Sequence, residues 1–172
     1  AHGGWRSLCL HGVTAETTNH WENYEDLRSL KADEVPYRWT DVSELCPKTT
    51  AYFRERFPME RYERLRFMWL EPGGYIQPHR DRTSDPLLSP FNIALNMPEG
   101  CVFKMTDKGY IPFRGRDAFL LDIGNEHAVW NNSDEHRVHI IVHGHFGRRW
   151  PEYERLVYDT YLRCYREAYH AH

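Results

Sequence analysis

Thiols are scarce and scattered. Cys9, Cys46, Cys101 and Cys164 are the four cysteines in 172 residues, and no two of them form a CxxC pair. That spacing excludes a zinc ribbon, and the density is too low for a disulfide scaffold. The expectation is reduced, mostly buried thiols. Long apolar runs are also missing: none reaches the ~18 residues that a membrane-spanning helix needs. Nor is there a charge excess, with 22 Lys and Arg against 25 Asp and Glu for a net charge of -3. No electrostatic case exists for nucleic acid or for an anionic membrane surface, and neither is expected as a partner. Repeats, low-complexity tracts and a recognisable signal peptide are absent as well, so the expected location is cytoplasmic.

What is present reads as a globular chain. Hydrophobic residues make up 41% and charged residues 27%, and the length suits one domain with a sizeable core. No linker divides residues 1–172. They read as an N-terminal helical and strand flank (1–63), a β core (64–147) and a C-terminal helix (148–172). Histidine is in excess, at eleven residues.

Local patterns place the elements. Residues 5–13 look like a short strand, 14–23 like a polar loop, and 41–57 like a helix stopped by Pro58. The N-terminal third is expected to be mainly helical. From residue 64 the period becomes two, with Leu65, Phe67 and Trp69 alternating against Arg66, Met68 and Leu70. Pro72-Gly73-Gly74 predicts a turn, followed by an extended stretch to Asp81. Strands are expected over 91–97, 101–105, 117–122, 127–131 and 137–144, separated by turn residues. Many short strands at near-regular spacing predict an antiparallel sandwich or barrel. Helical spacing then returns, with Tyr153, Leu156, Val157, Tyr161, Leu162, Tyr165 and Ala168 forming one face expected to pack on the sheet.

The chemistry concentrates at "PHRD". On an extended chain, His79 and Asp81 point to the same side. Such a pair is a metal site, a catalytic pair or a surface accident. His127 opens a strand downstream, and Arg137 opens another ten residues later. Two histidines and a carboxylate make the facial triad of non-haem Fe(II) oxygenases, which leaves coordination positions open for a 2-oxoacid and for O2. An arginine supplies a fixed, bidentate donor for the far carboxylate of that 2-oxoacid.

With these residues the resemblance becomes specific. "EPGGYIQPHRD", "NIALNMPEGCVFKM" and "LLDIGNEHAVWNNSDEHRVHIIV", with "SELCPKTTAYFRERFP" before them, resemble the aspartyl/asparaginyl β-hydroxylase family of Fe(II)/2-oxoglutarate-dependent oxygenases. The resemblance implies a mainly β fold, a cupin-like double-stranded β-helix (jelly roll). It implies Fe(II), 2-oxoglutarate and O2 as cofactor and co-substrates, with succinate and CO2 as co-products. The implied reaction is hydroxylation of an aspartyl, asparaginyl or other amino-acid side chain, free or peptide-linked. By position, His79 and His127 match the family's iron-binding histidines and Arg137 its 2-oxoglutarate-binding arginine. The match has departures. The best-known animal members have glycine at the position of Asp81, a histidine and an arginine on the strand aligned with 90–92, and serine at Met68. The full triad here implies that Asp81 binds the metal.

Secondary candidates have two readings each. Asn92 contacts 2-oxoglutarate or pairs with neighbouring backbone. Lys104 follows the same reasoning, and His139 lines the co-substrate cavity or is a buried, hydrogen-bonded histidine. His143 and His145 share a face but lack a carboxylate, so a structural or surface role is expected. Asn131 reads as a turn former, Arg114 to Asp117 as a solvated loop, and the other histidines, His11 and His20 among them, as surface or terminal. Two rival functions remain: a cupin-type metal-dependent dioxygenase or isomerase that does not use 2-oxoglutarate, and a non-catalytic jelly-roll binding module.

Overall fold

Alternating side chains along β3 (Arg61–His79) organise the molecule. Leu65 is fully buried on one side, while Arg64, Met68 and Leu70 are buried on the other. A strand buried on both faces lies at the centre of a fold, and β3 does. The computed structural model describes residues 2–81 and 90–170.

The other strands are β1 (His2–Gly12), β2 (Arg38–Trp39), β4 (Phe91–Ala94), β5 (Cys101–Met105), β6 (Gly109–Tyr110), β7 (Ala118–Leu120), β8 (His127–Asn131) and β9 (Arg137–His145). The helices are α1 (Val42–Leu45), α2 (Pro47–Glu55) and α3 (Trp150–His170). Pairing is antiparallel throughout. The ladder runs β6-β5-β8-β3-β9-β4-β7, with β1 along the other edge of β3.

β3 changes partner midway. Residues up to Leu70 pair with β9, and Tyr75 to His79 pair with β8. Two sheets therefore share one bent strand: β3-β9-β4-β7 and β3-β8-β5-β6. Their inner faces meet in one cluster containing Leu70, Ala94, Phe103, Met105 and Val129. This is the jelly roll. Behind the first sheet, Leu65, Ile140 and Val142 pack on Leu10, Phe53 and Phe57. Each such burial stabilises by about 1.5–3 kcal/mol.

Several expectations need correcting. Pro72-Gly73-Gly74 does not end the strand. Against β1 the register jumps from Gly3–Tyr75 to Trp5–Leu70, so the segment is a bulge. Gly73 takes φ +70°, and a Cβ on Gly74 would meet the Glu71 carbonyl oxygen at 2.8 Å, which is why glycine stands there. The N-terminal third is not mainly helical, because its longest element is β1. The helix expected over 41–57 is broken at Cys46, where Pro47 starts α2. Cys9, Cys46 and Cys101 are free, and of these three Cys9 alone is buried. His11 is buried too, edge-on to Trp39 at 5.1 Å.

α3 forms as its spacing predicts, but its apolar face is not covered by the sheet. Tyr153 is buried, whereas Leu156, Val157 and Tyr161 are 42%, 46% and 62% exposed. The side chains of Tyr165 and Ala168 lie outside the described residues. Periodicity identifies an apolar stripe but does not name its partner.

Candidate functional site

The β3 bulge sends the strand across the mouth of the roll, where its last residue, His79, sits directly opposite His127 of β8. Asp81 follows two residues later, its backbone N–H donating to Ile123 O at 3.0 Å. Asp81 Oδ1 lies 3.6 Å from His79 Nε2, and Oδ2 lies 3.9 Å from His127 Nε2. The ligand-type atoms of the three residues lie within 4.8 Å of one another.

Backbone carbonyls set the tautomers. His79 Nδ1 contacts Gln77 O at 2.8 Å, and His127 Nδ1 contacts Asn125 O at 3.0 Å. A carbonyl only accepts, so each Nδ1 carries the hydrogen and each neutral Nε2 presents a lone pair. Burial is the main cause holding His127 below the usual histidine range, so its neutral form dominates. Phe103 stacks on His127 with an interplanar angle of 3°, which fixes the ring. Two lone pairs and a carboxylate converging on one point suit a divalent cation held by nitrogen and oxygen ligands. The residues therefore fit the implied iron.

The turn before His127 has its own support. Asp122 accepts from Gly124 N at 3.2 Å and from Asn125 Nδ2 at 2.9 Å, holding the carbonyl that orients His127. Sequence reasoning missed Asp122. Its signal is the Asx turn in Asp122-Ile123-Gly124-Asn125.

A cavity of about 360 Å³ runs inward from the triad. Arg137, 4% exposed, lines it. Its Nε has no partner among the described residues. Burial lowers its pKa to about 10, so it stays cationic at neutral pH. His139 stands behind it, fully buried. Burial first, and Arg137 second, lower the His139 pKa to about 2. His139 Nδ1 contacts both Asn92 Oδ1 and Arg137 Nη2. An amide oxygen only accepts and a guanidinium only donates, so His139 Nδ1 stands between one partner of each kind and ties Asn92 to Arg137, while Arg137 Nε is left facing no partner among the described residues. Asn92 also lines the cavity.

The structure thus brings together His79, Asp81, His127, Arg137 and Asn92, with His139 as a support that is not itself a lining residue. Lys104 is not brought there. It is exposed, with Nζ 5.7 Å from the Tyr110 ring centroid. The inward positions of β5 are Phe103 and Met105, and strand parity sends Lys104 the other way. Asn131 is more than a turn former. Fully buried, it donates to Leu70 O, Glu71 O and Glu135 O at 2.9, 3.0 and 2.8 Å. It ties the β3 bulge to the turn before Arg137. His143 is not a surface residue either. It lines the cavity, as does Arg66, while His145 turns away to Glu63 at 2.8 Å.

A jelly roll with a His-Asp-His cluster at its mouth and a buried arginine in its cavity defines the class. A profile described as aspartyl/asparaginyl beta-hydroxylase matches residues 3–145. The chain belongs to that family. A comparison with curated proteins finds no match. Among solved structures, it is similar to a viral collagen prolyl hydroxylase from Paramecium bursaria Chlorella virus-1, solved with 2-oxoglutarate. That match has 16% identity and a TM-score of 0.37, over 59% of this chain and 70% of that one. It is also similar to a predicted oxalate decarboxylase from Thermotoga maritima, with 21% identity and a TM-score of 0.35, over 48% of this chain and 65% of that one. In the latter case the match spans just under two thirds of the relative. A cupin domain from Bordetella pertussis matches at 18% identity and a TM-score of 0.37, over 51% of this chain and 85% of that one. No described helix is long and apolar enough to cross a membrane.

Proposed function

We propose that this chain is an Fe(II)/2-oxoglutarate-dependent hydroxylase acting on an amino-acid side chain, aspartyl or asparaginyl in the first instance, free or within a peptide. The observation that carries the reading is the pairing of two centres in one cavity: the His79–Asp81–His127 cluster and the buried Arg137. A metal-binding module has no use for an uncompensated buried guanidinium facing the same cavity. A cupin-type enzyme would use it only with an anionic substrate of its own.

Bound Fe(II) with 2-oxoglutarate would supply the oxidative chemistry, splitting O2 with release of succinate and CO2 and inserting one oxygen atom into a C–H bond. His79 and His127 would each give Nε2 to the metal, and Asp81 a carboxylate oxygen. Arg137 would anchor the far carboxylate of the co-substrate through two parallel N–H donors. Asn92 and His139 hold the wall beside that arginine. Phe103, Ile123 and Val129 line the cavity with apolar surface, which limits water near the reacting centre.

The test is product analysis. Purified protein with Fe(II), ascorbate and 2-oxoglutarate is offered a panel of free amino acids and Asp- or Asn-containing peptides. Succinate formation coupled to a single-oxygen mass gain on one panel member is the expected result. Metal-dependent turnover of a panel member without 2-oxoglutarate would favour the cupin-type reading instead.

A further inference from the structure

The cavity has a second cationic cluster, apart from the groups assigned to the metal and the co-substrate. Arg64 and Arg66 are two residues apart on β3, so their side chains leave the same face. His143 is the direct cross-strand partner of Arg64, and Ile141 that of Arg66. Arg66, His143 and Asn19 line the same cavity as the triad, and Arg64 stands behind them at 7% exposure. Both guanidiniums send Nη1 to one acceptor, the carbonyl oxygen of Thr18. Arg64 Nε, Arg66 Nε and His143 Nε2 have no partner among the described residues.

Among the described residues no carboxylate pairs directly with these guanidiniums; Glu63 and Asp81 act on Arg64, and Asp81 on Arg66, only at longer range. Asp81 is the one carboxylate among the lining residues, and it faces the two histidines. Glu63, next in sequence to Arg64, gives its carboxylate to His145. Two adjacent guanidiniums, Arg64 buried and Arg66 half-buried, sharing a single neutral carbonyl are unfavourable until an anion joins them. Their planar, multidentate N–H sets match an oxyanion. Along β3, Arg66 is four residues from Leu70, the partner of Arg137. That is about 13 Å of strand between the two positions.

We propose that Arg66, backed by Arg64 and His143, forms an anion subsite that receives the side-chain carboxylate of the substrate to be hydroxylated, distinct from the Arg137 end. Naming that anion as the substrate's rests on the hydroxylase reading above; the anion site itself does not.

Inorganic sulfate is the first probe, added to the purified full chain at an ionic strength held constant with chloride. The expected result is a thermal midpoint that rises with sulfate in the wild type. Most of that rise is lost in Arg66→Gln, retained in part in Arg66→Lys and largely kept in Arg137→Gln. An unchanged response in Arg66→Gln, or its complete loss in Arg137→Gln, overturns the subsite. The second arm uses protein loaded with Fe(II) and 2-oxoglutarate, and compares aspartate with asparagine and glutamate with glutamine as stimulants of 2-oxoglutarate turnover. The acid is preferred by about tenfold or more in the wild type, the scale of one lost charged hydrogen bond, and Arg66→Gln abolishes the preference. Equal response to acid and amide in the wild type overturns the substrate assignment. If no iron–2-oxoglutarate complex forms, the hydroxylase reading fails while the sulfate arm still decides the subsite.

Discussion

His79 and His127 are direct partners across β3 and β8, with ring centroids 4.3 Å apart. Each has its Nδ1 tied to the carbonyl two residues before it. The same local device, used at the end of one strand and the start of another, aims two Nε2 lone pairs at Asp81. The ligand geometry is thus built by backbone, and metal binding need not organise it.

Removing a ligand should therefore remove the metal without unfolding the roll. Asp81→Ala and His127→Ala should each weaken Fe(II) binding by more than about 100-fold, since substitutions one shell further out already cost 10–100-fold. Anaerobic titration with Fe(II) or Co(II) measures this. Wild-type affinity in Asp81→Ala would show that the carboxylate is not a ligand.

Arg137 should control 2-oxoglutarate and little else. Arg137→Ala should cost about 2–5 kcal/mol of co-substrate binding, the range for truncating a buried charge partner. Arg137→Lys should not restore it, because a point charge does not reproduce the planar fork. Lys104→Ala, on the outer face of β5, should leave the KM for 2-oxoglutarate unchanged. Steady-state succinate assays separate the three variants.

Acid should weaken the fold through His139. Its folded pKa of about 2 lies below the ordinary 6.5, so below that ordinary value the unfolded chain binds a proton that the folded chain refuses. Stability is unaffected above the unfolded pKa and falls as pH drops below it, by up to about 1.4 kcal/mol per pH unit for this one group. Urea unfolding between neutrality and about pH 5 reads the slope. His139→Gln should flatten it by up to one proton, whereas an unchanged slope would mean that His139 is already charged in the fold.

Asn131 should carry stability and not chemistry. Asn131→Ala removes the amide that holds the carbonyls of Leu70, Glu71 and Glu135, of which Glu135 O keeps Ser133 Oγ, at a cost of about 1–3 kcal/mol for each carbonyl left buried and unpaired. Urea unfolding should show the loss, while the folded fraction keeps wild-type metal affinity.

Much of this was legible in the sequence where the controlling interactions are local. Period-two alternation and turn residues give the strands from Phe91 to His145, and the His79-x-Asp81 spacing gives the metal face. What was not legible depends on distant partners. β3 stays extended through Pro72-Gly73-Gly74 because β1 and β8 pair with it beyond the bulge. Which parity of a strand faces inward separates Asn92 and His143 from Lys104, and that is set by the opposing sheet. The apolar stripe on α3 reads the same whether or not the roll covers it.

The most direct measurement is the anaerobic addition of Fe(II) and then 2-oxoglutarate, followed in the visible spectrum. A metal-to-ligand charge-transfer band is expected in the wild type, weakened in both Asp81→Ala and Arg137→Ala. Iron binding with no band on adding 2-oxoglutarate would contradict the proposed function, as would a band of wild-type strength in both variants.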